Sequence, residues 1–187
     1  MARERKSNPR KMKPLFLVLC EGETEETYIS LLKQRYRLPI RIVSKILGGS
    51  LYPKKIEQYK KEMSSNPSEI KTFFMYDGDV PEILELLKKC DGILLVSKPC
   101  IEIWFIAHYK KVLETEFSSN DCVKQLRSIS DFEQYKKAVL TVKQQDSLWE
   151  NRMTAVNNMK DKNEESKAYS TVFKFINILE KEKFKQD

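Results

Sequence analysis

At 187 residues, with 41% hydrophobic and 33% charged side chains, the chain has the make-up of a soluble globular domain with a real core. No apolar run is long enough to cross a bilayer, and the basic, polar start Met1–Lys13 has no apolar stretch behind it, so neither a membrane span nor a secretory signal is expected. Of the net charge of +7, +5 falls in residues 1–13, where Arg3, Arg5, Lys6, Arg10, Lys11 and Lys13 stand against one acid, Glu4, and the body is left close to neutral. Such an arm can bind phosphates by counterion release or serve as a solubilising tail. Cys20, Cys90, Cys100 and Cys122 lack paired C-x-x-C spacing and read as reduced, mostly buried thiols of a cytoplasmic protein.

The apolar run Leu15–Cys20, bounded by Pro14 and Gly22, predicts a buried strand. A helix over about 24–36 follows, with Tyr28, Leu31, Leu32 and Tyr36 at helical spacing and Glu25 and Glu26 suiting its N-terminal dipole. Residues 40–47 form a second strand closed by Gly48-Gly49, and Pro53 opens a polar surface helix to Met63. The third strand, 71–76, runs into Asp77-Gly78-Asp79, and a short helix over 81–89 leads to a fourth strand at 93–96. Alternation of this kind predicts βαβ units and a parallel sheet. After Pro99 the segment Cys100–Tyr109 is apolar nearly all round and predicts a buried helix. Every glycine and proline lies before residue 101, so the remainder is expected to be helical throughout, at roughly 120–128, 131–144, 147–160 and 166–184. The expected organisation is an arm over 1–13, an α/β domain over 14–112 with about four parallel strands, and an all-helical region over 113–187 packed on it.

Open parallel sheets bind ligands beyond the carboxyl ends of their strands. Strand one ends at Glu21, strand three at Asp77 and Asp79, and strand four is followed across Ser97-Lys98-Pro99 by Glu102. Residues two apart on an extended chain point the same way, about 6–7 Å apart, so the carboxylates of Asp77 and Asp79 can share one divalent ion or hold two. With strand order 2-1-3-4, Glu21 comes beside them, and the cluster could serve metal-assisted phosphodiester chemistry. Each acid also has a plainer reading. Glu23, Glu25 and Glu26 suit a helix start, Asp77-Gly78 is a common turn dipeptide, and Glu102 can face backbone amides in a first helical turn. A carboxylate on so apolar a helix nevertheless needs a partner, a metal or a shifted pKa. His108, the sole histidine, reads as a hydrogen-bonded core residue.

Three segments carry a family resemblance. Leu17-Val18-Leu19-Cys20-Glu21-Gly22-Glu23-Thr24-Glu25, behind a basic arm, resembles the opening motif of the RloB-like (AbiLii-type) family, and Tyr76-Asp77-Gly78-Asp79 resembles its second. Ser97-Lys98-Pro99-Cys100-Ile101-Glu102-Ile103-Trp104, continuing to His108-Tyr109, is similar to its third, with Lys98 in place of the usual Asn and Ile101 in place of an aromatic. Tyr135-Lys136 and Thr171-Val172 echo it more weakly. The first two motifs in turn resemble the TOPRIM pattern of topoisomerases, primases and OLD-family nucleases.

The resemblance implies a TOPRIM-like fold, Glu21 as acid/base or metal-linked glutamate, and Asp77 and Asp79 as ligands of Mg²⁺ or Mn²⁺. It further implies a phage-defence, restriction-associated setting, with DNA or RNA and defence-system proteins as partners. The leading expectation is a metal-dependent nuclease or related phosphoryl-transfer enzyme. Its site would be Glu21, Asp77, Asp79 and Glu102, with the basic arm and Lys98 holding nucleic-acid backbone. The alternative is a non-catalytic module, binding nucleic acid, a nucleotide or a partner, with a vestigial site. A haloacid-dehalogenase-type phosphatase would want a Thr near Val80 and the motif on the first strand, and a glycosyltransferase would want a longer chain.

Overall fold

The computed structural model describes residues 15–44 and 53–185. Strand β1 (Leu15–Cys20) is the second strand of a five-stranded sheet, paired in parallel with β2 (Ile40–Ser44) and β3 (Ile70–Asp77). Strand β4 (Ile93–Lys98) lies parallel to β3, and β5 (Tyr169–Ser170) closes the far edge antiparallel to β4. The order β2-β1-β3-β4-β5 contains the expected 2-1-3-4 arrangement and extends it by one strand.

β1 is apolar at every position because both faces of a parallel sheet are covered. Phe16, Val18 and Cys20 join Phe73 and Met75 on one face, against α1 (Glu23–Tyr36), α4 (Glu102–Ala107), α5 (Ser119–Arg127), α7 (Arg152–Met159) and α8 (Phe173–Phe184). Leu17, Leu19, Phe74 and Tyr76 face the other way, onto Ile56 of α2 (Pro53–Met63) and Leu87 of α3 (Pro81–Leu87). Phe175 of α8 reaches the sheet at 4.6 Å from Phe73, ring centre to ring centre, so residues from both ends of the chain share one core. Trp104, wholly buried on α4, donates its indole N–H to the Tyr28 hydroxyl at 2.8 Å.

Three expectations for the second half need correction. The stretch expected as helix at 166–184 begins as β5, so the region after 113 is not all helical. Thr171 explains why: its amide donates to Val96 O and its hydroxyl accepts from Val96 N, both at 2.8 Å, which satisfies the otherwise open edge of β4. The stretch expected as helix at 131–144 is a 3-10 turn, Ser130–Phe132, followed by a tight reversal with Lys136 bridged to Val139. Helix α6 (Val142–Glu150) starts afresh behind a capping box of Thr141 and Gln144. The helix expected over 147–160 is divided between α6 and α7 at Asn151, whose side-chain amide donates to the Ser147 carbonyl at 3.0 Å. Among the described residues no helix is long and apolar enough to cross a membrane.

Candidate functional site

The ends of β1 and β3 are sewn together just where the chain turns acidic. The amide of Glu21 continues the ladder to Met75 O at 3.0 Å, and its own carboxylate turns across to accept the amide N–H of Asp77 at 2.8 Å. Two residues separated by 56 positions in sequence thus meet through one hydrogen bond. Register accounts for it: Cys20 lies opposite Met75, so the next residues of the two strands emerge together at the carboxyl edge.

The site is richer in acid than Glu21 and Asp77 alone. Glu102, fully buried at the start of α4, accepts the Tyr135 hydroxyl at 2.9 Å, while its second carboxyl oxygen has no hydrogen-bond partner. Glu25 is only 5% exposed and folds back over the start of α1, where it accepts its own backbone amide. Gly22 leaves the room for this: a Cβ there would stand 2.9 Å from Glu25 Oε2. Asp79 is exposed at the rim.

Burial is the main force on these carboxyls, and mutual repulsion adds to it. Asp77 is pushed up to about 8 by loss of solvent and then by the charges of Glu25, Glu21, Glu102 and Asp79. Glu25 is pushed up to about 7 by burial and by Glu102 and Glu21, against its own amide and Lys137, which pull it down. Glu21 is raised by burial and by Asp79, partly offset by the Asp77 amide it accepts. Asp77 Oδ1 is buried with no hydrogen-bond partner. A concentration of carboxylates that repel one another at strand ends is a recognisable mark of a functional site.

The donors fit a hard divalent cation: oxygen ligands, excess negative charge and an orphaned carboxylate oxygen. Among the described residues no three His, Cys, Asp or Glu side chains are gathered at metal-ligand spacing. A hard ion such as Mg²⁺ keeps several waters and needs only one or two carboxylates from a protein.

The structure therefore brings Glu21, Asp77 and Glu102 into one acidic cluster, with the exposed Asp79 close enough to act on Asp77 and Glu21. Lys98 lies beside Gly78, where an added Cβ would stand 3.0 Å from its own Cβ, and it lines a groove with Pro99, Glu116, Phe117 and residues 165–167. Arg3, Arg5, Lys6, Arg10, Lys11 and Lys13 lie outside the described residues. Glu25 and Tyr135, which the sequence placed in motifs without a site role, belong to the cluster, and so does Lys137, which the sequence did not single out. Glu25 was obscured by its ordinary role at a helix start, and Lys137 arrives through tertiary folding alone. His108 is a core residue: its Nδ1 meets the Trp104 carbonyl at 2.8 Å, and burial lowers its pKa to about 4.

No curated protein and no solved structure matches this chain. The family model described as RloB-like protein matches residues 16–179, which takes in every strand, the acidic pocket and most of α8, and the chain belongs to the RloB-like family.

Proposed function

We propose that this protein is a Mg²⁺- or Mn²⁺-dependent enzyme that cleaves or transfers phosphodiesters in nucleic acid, in a TOPRIM-like arrangement and in the service of phage defence. The observation that carries the reading is the joining of Glu21 to Asp77 beside Glu25 and Glu102 at the carboxyl ends of two adjacent parallel strands. Asp77, with Glu21 or the exposed Asp79 as a second carboxylate, would hold the cation among its own waters, and the ion would supply charge neutralisation at a phosphoryl oxygen. Glu21, braced by the Asp77 amide, is placed to hold or move a proton, and its raised pKa brings it toward the range useful to an acid/base group. Glu102 lies buried behind them, its orientation fixed by the Tyr135 hydroxyl.

Isothermal calorimetry with Mn²⁺ tests the reading directly. Wild-type protein should take up the ion with a Kd in the micromolar to millimolar range, about −8 to −4 kcal/mol. Asp77→Asn should weaken uptake at least about tenfold and abolish cleavage of DNA or RNA with the fold intact, since ten-fold is about 1.4 kcal/mol for one ligand oxygen lost. Uptake that is absent in the wild type, or indifferent to Asp77, would overturn it and leave a non-catalytic binding module.

A further inference from the structure

The turn over residues 135–139 is held to the acidic pocket from several sides. Tyr135 donates its hydroxyl to Glu102 at 2.9 Å, and the Arg127 guanidinium donates twice to the Tyr135 carbonyl, at 3.0 and 2.9 Å. From the start of α1, the Thr24 hydroxyl accepts the Ala138 amide and the Thr27 hydroxyl donates to the Ala138 carbonyl, each at 3.0 Å. Ala138 itself has φ 65°, a left-handed conformation that a residue with a Cβ adopts only when its surroundings enforce it, and such residues concentrate at functional sites.

What this brace delivers to the pocket is Lys137. Its ammonium lies 3.8 Å from Glu102 Oε1, beyond hydrogen-bond reach, with Asp77 and Glu25 also close enough to act on it, and 55% of its side chain is exposed. An ammonium has three donors, and an approach this loose leaves them available to an incoming anion.

We infer that Lys137 is the substrate-phosphate ligand of this pocket: a cation held at the mouth of the carboxylate cluster by the braced 135–139 turn, resting near Glu102 in the free protein and engaging a backbone phosphate of nucleic acid when it binds. The inference rests on the nucleic-acid reading of the site and names the residue that grips the phosphate beside the metal ligands. A lysine serves here as a point charge, so it positions the backbone without reading sequence.

The test is fluorescence-anisotropy titration of the full chain with short mixed-sequence single-stranded DNA and RNA in Mg²⁺, over a series of NaCl concentrations, with melting temperature and Mn²⁺ calorimetry alongside. Lys137→Met should weaken binding about tenfold and lower the slope of log K against log salt by close to one ion. Lys137→Arg should recover most of the affinity, and Lys136→Met, which removes the same charge from the exposed neighbour, should change it far less. All should melt near the wild type, because the Lys137 side chain is half exposed. Unchanged affinity and slope in Lys137→Met, or an equal loss in Lys136→Met, would overturn the inference while Mn²⁺ uptake dependent on Asp77 still supports the site. A wild type that binds neither oligonucleotide overturns it as well, and a wild type that takes up no Mn²⁺ overturns the metal reading separately.

Discussion

Asp77 carries a direct consequence for stability. Its carboxyl is raised from an ordinary 3.8 to about 8, and that of Glu25 from 4.5 to about 7, each first by burial and then by the surrounding acids. Between about pH 4 and pH 8 the folded protein therefore holds protons that the unfolded chain has released. Stability falls as pH rises wherever the native state binds more protons, so the loss accumulates through that window and is complete above it. In the presence of chelator the wild type should melt at a lower temperature at pH 8.5 than at pH 5. Asp77→Asn cannot ionise, so its melting temperature should decline less over the same interval and exceed the wild type's at pH 8.5. Parallel melting profiles for the two proteins would show that the acidic cluster is relaxed by solvent and is not under the strain described. A substitution that stabilises the fold while removing a proposed ligand is the pattern expected of residues kept for function.

Among the elements, those punctuated by glycine and proline were legible in the sequence. Pro14 and Gly22 frame β1, Pro53 and Pro81 begin α2 and α3, and Asp77-Gly78 ends β3. The acids at strand ends could be read as a site because strand ends are local features, and the order of strands then follows from short crossovers. The second half lacks both residues, and there the apolar spacing of Phe132, Tyr135 and Leu140 imitates a helix that does not form. Competing signals were present in Thr141-x-x-Gln144, a capping box, and in Asn151, but the absence of strong breakers masked them. Strand β5 is two residues long, too short for any alternation, and exists because β4 needs an edge partner. This gives Thr171 a measurable weight. It is 7% exposed, and its hydroxyl is the acceptor for the buried Val96 amide. Thr171→Val keeps the shape and orphans that amide, which should cost about 1–3 kcal/mol in urea unfolding. Thr171→Ser restores the acceptor and should lose only the methyl, roughly 0.8 kcal/mol. Equal losses in the two variants would assign the effect to packing instead.

Over the whole molecule, the pocket is assembled from chain segments that no local pattern connects: the turn after β1, the end of β3, the start of α4 and the 135–139 reversal. The bonds between them, Thr24 and Thr27 to Ala138 and Tyr135 to Glu102, tie the second half of the chain to the first at the site itself. Away from the site, the same apolar cluster runs from Phe16 of β1 to Leu179 of α8. A cluster shared by both halves of the chain, with cross-links of this kind, should make them unfold as one unit. The two tryptophans offer a test, since Trp104 is buried on α4 and Trp149 lies on α6, where Arg152 stacks on it at 4.0 Å. Urea unfolding followed by the fluorescence of Trp104 in a Trp149→Phe background, and by that of Trp149 in Trp104→Phe, should each coincide with the same variant's far-ultraviolet circular dichroism. Tyr135→Phe, which strips a hydrogen bond from a fully buried carboxylate, should lower stability by about 1.5–3 kcal/mol and shift both probes by the same amount. Were only the Trp149 transition to move, the halves would unfold separately, and the reversal would be a docked flap and not a wall of the site. A common shift means that closing the core and assembling the acidic pocket are one event, so any variant that loosens the second half should also loosen the grip on cation and phosphate.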